Sequence, residues 1–358
     1  MMKNYLFISV GLFALLFLFH SCEEIYTPAI DETTHLLVID SHMTNDPNQN
    51  YVRISKTRSF YSSEAVDWIS GARVDLLEIG GNTIRATENG SGYYSFSIVP
   101  VTAKKYILRI SYLKDVYESE TVVMPPPPEI DSLYANHKTE KNYRTDSYGV
   151  PLLTESAGRE ICINSAIKPA LEYYRFYWRA ILEWQYNPPA VFGPPPPSWY
   201  GWLSRYGNGE FNIAGPKQYS LSDQVKNHPI VFLNYDERVY LDSATQMAIG
   251  WIVIIDQYGI TKSSFDYHTK LNKQFAADGS LFDPLLNQVF GNIHCKNDPS
   301  KIVLGFFDLN SYRQHRYWMN FGIDEKSPVI IHQINSYPEI ADNGYQIGSY
   351  PAFWKTNY

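Results

Sequence analysis

Tyr106-Ile107-Leu108-Arg109-Ile110-Ser111-Tyr112 decides the fold class. Tyr106, Leu108, Ile110 and Tyr112 fall on one side of an extended chain, and Ile107, Arg109 and Ser111 on the other. A period of two belongs to a half-buried strand, because successive side chains of a strand point to opposite faces. The pattern recurs upstream. Ala72, Val74 and Leu76 oppose Arg73 and Asp75, and Tyr94, Phe96 and Ile98 alternate with Tyr93, Ser95 and Ser97. Gly80-Gly81-Asn82 and Asn89-Gly90-Ser91-Gly92 supply turn chemistry, since Gly and Asn tolerate positive φ. About seven short strands at regular spacing predict a β-sandwich over residues 35–124.

Pro125–Pro128 cannot enter a sheet interior, so residues 125–129 read as a stiff linker. Residues 130–358 then form a larger β-rich domain. Glu172 to Tyr186 holds seven aromatics in fifteen residues and reads as one strand or two. Gly250 to Asp256 is an apolar run of strand length buried on both faces, and Ile302 to Phe307 is another. Ser263-Ser264 can cap a helix carrying His268, Leu271 and Phe275, with Gly279 as its stop. A second short helix would use Leu285, Leu286, Val289 and Phe290. The predicted fold class is therefore mostly β with a small helical insertion.

Working back to the start, Lys3 precedes an uncharged run from Tyr5 to Phe19. Fifteen residues fall short of the ~20 needed to cross a bilayer but suit a secretory signal. The run ends in Leu18-Phe19-His20-Ser21-Cys22, which resembles a bacterial lipobox. Residues 1–21 are then a signal peptide, and Cys22 is the lipidation site, diacylated through its thiol. Residues 22–34 are a tether. Several acyl chains at ~0.8 kcal/mol per buried CH₂ hold a protein on a membrane without a spanning helix. Glu23 and Glu24 resemble the surface-export signal of Bacteroidetes lipoproteins, which predicts an outer-membrane protein facing the cell surface.

The chain carries −7 over 358 residues, and loss of residues 1–21 removes Lys3 and no acid, leaving −8. With no basic run, nucleic acid is excluded as a partner class. No phosphate loop, His-Glu-x-x-His or Gly-x-Ser-x-Gly is present. His294 and Cys295 are adjacent and would point oppositely on a strand, a poor metal geometry. The reading is a non-enzyme without a metal or cofactor. Cys162 and Cys295 either pair as a disulfide or stay as buried thiols. Pro188 to Trp202 contains six prolines and reads as a loop. Its Phe192, Trp199, Tyr200 and Trp202 either contact a sugar or partner protein or fold back on the domain.

The combination resembles a family of Bacteroidetes outer-membrane lipoproteins, those of domain of unknown function 4249. The resemblance rests on the lipobox with Gly71-Ala72-Arg73-Val74, Gly90-Ser91-Gly92-Tyr93-Tyr94, Tyr117-Glu118-Ser119 and Ile130-Asp131 in the first half. In the second half it rests on Gly279-Ser280-Leu281-Phe282-Asp283-Pro284, Gly291-Asn292-Ile293 and Val303-Leu304-Gly305-Phe306-Phe307. The first-domain pattern also resembles carboxypeptidase-regulatory-like and related immunoglobulin-like modules. The family resemblance implies an accessory role beside a TonB-dependent receptor and supplies no catalytic or ligand residue. The alternative is a stand-alone adhesin or glycan-binding surface protein. The Gly, Phe, Asp and Pro of these motifs read as turn and packing positions.

Overall fold

The computed structural model describes residues 35–58, 65–145, 148–186, 190, 192–195, 199–207, 211–219, 224–234, 246–276, 288–320 and 345–346. The first strands are β1 (Leu37–Met43), β2 (Tyr51–Lys56), β3 (Arg73–Glu78), β4 (Thr83–Arg85), β5 (Thr87–Glu88) and β6 (Tyr93–Ser95). They continue as β7 (Lys105–Tyr112), β8 (Asp115–Ser119) and β9 (Val122–Val123). Beyond the prolines come β10 (Ser132–Thr145), β11 (Pro151–Ala166), β12 (Tyr173–Tyr186), β13 (Trp199–Tyr206), β14 (Asn212–Ala214), β15 (Gln224–Asn234) and β16 (Gln246–Ile260). Helix α1 (Lys262–Phe275) is followed by β17 (Ile293–Cys295), β18 (Val303–Leu309), β19 (Ser311–Asn320) and β20 (Tyr345–Gln346). The chain is mostly β with one α-helix among the described residues, as expected.

Two sandwiches result. In the first, the sheet β18-β1-β2-β6-β5 faces β17-β8-β7-β3-β4, where β9 also pairs with β7. Ile39, Ile54 and Tyr94 from one sheet meet Leu76, Leu108 and Ile110 from the other in a closed core. The second packs β10-β11-β15 on a larger sheet built around β19-β16-β12-β13. Ile161, Ile163 and Leu233 meet Phe176, Leu182, Trp251 and Val253 there. Trp251 to Ile255 are all buried, so this run is covered on both faces. Glu172 to Tyr186 resolves into the single strand β12.

The expected domain boundary is corrected. Residues 35–124 do not close on themselves. β18 lies parallel to β1 from Leu37↔Val303 to Met43↔Leu309, and β17 pairs with β8. Ile293, Cys295, Val303, Phe307 and Leu309 belong to the first core. A local period of two marks a strand but not which remote strand it joins, and a parallel partner always needs a long crossover.

The motif glycines and Asn292 make this closure possible. Gly305 has φ +94, and a Cβ there would lie 1.9 Å from the backbone oxygen of Ile39. A Cβ on Gly291 would lie 1.6 Å from the Gly305 oxygen. Asn292 imitates a strand. Its Oδ1 accepts from the Phe307 N–H at 2.8 Å, and its Nδ2 donates to the Phe307 carbonyl at 3.1 Å.

Asn310 is the one residue between β18 and β19, so the chain passes straight from the first sandwich into the large sheet of the second. At the same corner Asn45 donates to the Tyr312 carbonyl at 3.1 Å and accepts from the Tyr312 N–H at 2.5 Å. The hydroxyl of Ser311 donates to the carbonyl of Pro126 in the linker at 2.6 Å.

Helix α1 is capped by Thr261, whose side chain accepts from the Ser264 N–H at 3.2 Å. The cap thus sits two residues before the expected serine pair. Gly279, Leu285 and Leu286 lie outside the described residues, and Val289 and Phe290 are not helical.

Candidate functional site

The sandwiches meet across a seam of aromatic and charged side chains. Arg175 of β12 and Asp308 of β18 are both buried, and Arg175 Nη1 donates to Asp308 Oδ2 at 2.7 Å. The same nitrogen donates to His268 Nε2 of α1 at 2.7 Å. That fixes the imidazole tautomer, so Nδ1–H donates to the Ser264 carbonyl at 2.8 Å. The hydroxyl of Ser264 donates to Asp308 Oδ1 at 2.7 Å. Tyr177 and Tyr258 each stand 5.2 Å from the guanidinium carbon, in cation–π range. Tyr267 stacks on Phe306 at 4.6 Å, and His42 meets Tyr258 edge-on at 5.4 Å.

Electrostatics agree with this geometry. Burial, the largest single influence, pushes the Asp308 carboxyl up, but the Arg175 charge together with His268 and the side-chain hydrogen bonds outweighs it and holds the group at about 2. His268 is lowered to about 4, first by burial and then by Arg175. His42 is lowered to about 4 for the same two reasons.

Ser264, His268 and Asp308 are residue types of a hydrolytic triad, but their polarity is wrong. The serine gives its proton to the carboxylate, and the imidazole Nδ1 spends its proton on a backbone carbonyl. The base that should activate the hydroxyl is occupied by a guanidinium, and all three side chains are buried. The cluster is a bolt between sandwiches.

Beside the bolt lies a cavity of about 400 Å³ lined by Tyr177, Trp178, Arg179, Tyr206, Asp256 and Gln314 among others. It sits at an interruption in the large sheet. β13 pairs with β12 from Arg179 onward, and β14 pairs with β12 only up to Phe176. Tyr177 and Trp178 have no strand beside them on that side among the described residues. Tyr177 is 41% exposed and Tyr206 64%. Asp256 Oδ1 accepts from the Tyr312 hydroxyl at 2.8 Å and from Gln314 Nε2 at 3.0 Å. Its Oδ2 takes no hydrogen bond among the described residues. The period of β12 places Arg175, Tyr177 and Arg179 on one face, so the ring that lines the cavity also lies against the bolt.

The residues singled out in the sequence fare differently. Cys22 lies outside the described residues. Cys162 and Cys295 are free buried thiols, the second of the two alternatives left open by the sequence. Cys162 sits on β11 of the second sandwich and Cys295 on β17 of the first, and burial lifts the Cys162 thiol to about 11. His294 is exposed and Cys295 buried, pointing oppositely as expected. No group of three His, Cys, Asp or Glu side chains at metal-binding distance occurs among the described residues. Phe192 is exposed. Trp199, Tyr200 and Trp202 are not in a loop, which corrects that expectation. They open β13, opposite Tyr186, Gln185 and Glu183 of β12. The prolines stop at Pro197, which leaves the residues after them free to pair.

The bolt and the cavity were missed in the sequence because each assembles from distant strands. The only local signal was an arginine inside an aromatic strand and an aspartate ending an apolar one.

A family model, described as a domain of unknown function (DUF4249), matches residues 23–316. No curated protein and no solved structure matches the chain.

Proposed function

The chain belongs to the DUF4249 family, and on that premise we propose that it is an outer-membrane lipoprotein anchored through Cys22 and facing the cell surface. There it acts without catalysis, as a binding or accessory component beside a TonB-dependent receptor. The observation that carries this reading is the β10–β11 arm. β15 pairs with β11 only from Gly158 to Ala166. Among the described residues, the stretch from Thr139↔Ala157 to Thr145↔Pro151 is therefore a two-stranded ribbon with no third strand beside it. Its tip is apolar and exposed, with Tyr143 at 77%, Tyr148 at 89%, and Leu152 and Leu153 in the open. Clustered exposed apolar side chains on such a ribbon suit a protein partner. The family match also begins directly after Cys22, which supports a mature chain starting there.

Affinity capture from gently solubilised outer membranes tests the reading. The receptor should co-purify with the intact protein and be lost when Tyr143, Leu152 and Leu153 are changed to Ser. Recovery of the protein alone removes the receptor partnership. Cys22→Ser should release the protein or leave its precursor uncleaved, and a processed, still anchored variant overturns the lipoprotein claim. The second reading, a stand-alone glycan-binding protein, is favoured by the aromatic cavity beside the bolt. It is supported if glycan binding persists with no receptor present.

A further inference from the structure

We infer that the cavity at the β13–β14 interruption is a binding site for a neutral saccharide, with Tyr177, Trp178, Tyr206 and Asp256 as its contact residues. The inference deepens the binding reading above and rests on it. Three kinds of observation converge. The first is shape. At about 400 Å³ the cavity falls at the small end of the ~300–1,000 Å³ of ligand sites, room for a mono- or disaccharide. The second is the exposed rings. Tyr206 offers a flat apolar face, the surface on which the C–H face of a sugar ring stacks, and Tyr177, whose ring also packs on Arg175, lines the cavity with it.

The third is a set of unspent polar groups. Asp256 is held by Tyr312 and Gln314 through one oxygen, which leaves Oδ2 as an oriented acceptor. The Tyr177 hydroxyl and the Trp178 indole N–H make no hydrogen bond among the described residues. The residues that carry this acceptor, donor and hydroxyl all line one cavity, which matches a ligand with several hydroxyls. An apolar ligand would leave these groups without partners, and unpaired polar groups in a closed site weaken binding. The Asp256 carboxylate in the lining would repel an anionic ligand, so the match is to a neutral sugar over an acidic one.

The test uses the mature chain and saturation-transfer NMR with maltose, cellobiose, lactose and N-acetylglucosamine at millimolar concentration. Glucuronic acid and a proline-rich peptide serve as counter-probes. At least one neutral sugar should bind, and Tyr206→Ala or Asp256→Asn should weaken it about tenfold while the melting transition stays unchanged. Trp178→Phe keeps the ring and deletes the N–H, so it should weaken binding less than Tyr206→Ala. Absence of binding by every neutral sugar overturns the inference. So does binding of equal strength in all three variants, or preference for glucuronic acid or the peptide. Receptor capture reads a different surface, so either claim can fail alone.

Discussion

Asp308→Ala removes the carboxylate of the bolt and leaves the guanidinium of Arg175 in place. Two charge-assisted bonds disappear, to Arg175 at 2.7 Å and to Ser264 at 2.7 Å. Bonds to charged groups are worth ~1.5–3 kcal/mol each. The structure has no compensation to offer. Arg175 is buried, its Nε already makes no hydrogen bond, and its remaining contacts are His268 Nε2 and two tyrosine rings. Breaking one side of a buried pair costs ~3–5 kcal/mol, in line with the sum of the two bonds. That is a large share of the ~5–15 kcal/mol that holds an ordinary protein folded. The control is Arg175→Met with Asp308→Leu, which removes both charges and fills the space. It should recover at least ~2 kcal/mol of the loss, since a buried pair can be replaced by apolar side chains at little net cost. Urea unfolding of the protein, followed by tryptophan fluorescence and far-ultraviolet circular dichroism, reads Asp308→Ala, the double variant and the two singles Arg175→Met and Asp308→Leu. A loss below ~1 kcal/mol in Asp308→Ala, or a double variant as weak as the two singles added, refutes the bolt.

A fragment of residues 35–124 should show no cooperative melting, because β17 and β18 are missing from its two sheets; a sharp transition would contradict the corrected boundary. Gly305→Ala should destabilise the chain by more than the ~1 kcal/mol of an ordinary glycine effect, since the added Cβ meets the Ile39 backbone, and unchanged unfolding would count against the parallel closure. Acid should weaken the fold well before the carboxylates titrate. His42, His228 and His268 are held neutral at about 4, whereas an unfolded histidine titrates near ~6.5. The unfolded chain thus takes up more protons between those values, and stability falls with pH through that window. Asp308 does not contribute there, because its stabilisation is present above ~3.9 and is lost only as pH falls through about 2. Melting temperatures from about pH 7 to about pH 4.5 check this, and a flat profile would rule it out.

What the sequence disclosed followed from local rules. The alternation of Tyr106 to Tyr112 became β7, and Gly80 and Gly90 took the positive φ that their turns require. His268, Leu271 and Phe275 marked a true helix, although Thr261 capped it. What stayed hidden was remote. Val303 to Phe307 reads as a strand of the second half because it lies there in the chain, and only the meeting of Gly305 with Ile39 reveals its place in the first. Arg175 drew no reading from its place in an aromatic strand, yet it is buried by pairing with Asp308, more than a hundred residues away. Trp199 reads as part of a proline loop because six prolines dominate its neighbourhood, whereas backbone pairing begins just past the last of them.

The parallel seating of β18 against β1 has a consequence for how the chain is made. The first sandwich opens the polypeptide, yet two of its strands lie beyond residue 290. Until they arrive, β1 and β8 present bare strand edges through the synthesis of nearly the whole second sandwich, and bare edges invite wrong partners. The first module is therefore completed only after the second has been made. A protease that cuts between the modules leaves every residue from 35 to 124 intact and still removes the strands that complete them. Damage anywhere along the second half is thereby registered in the first, and the two modules stand or fall as one inherited unit.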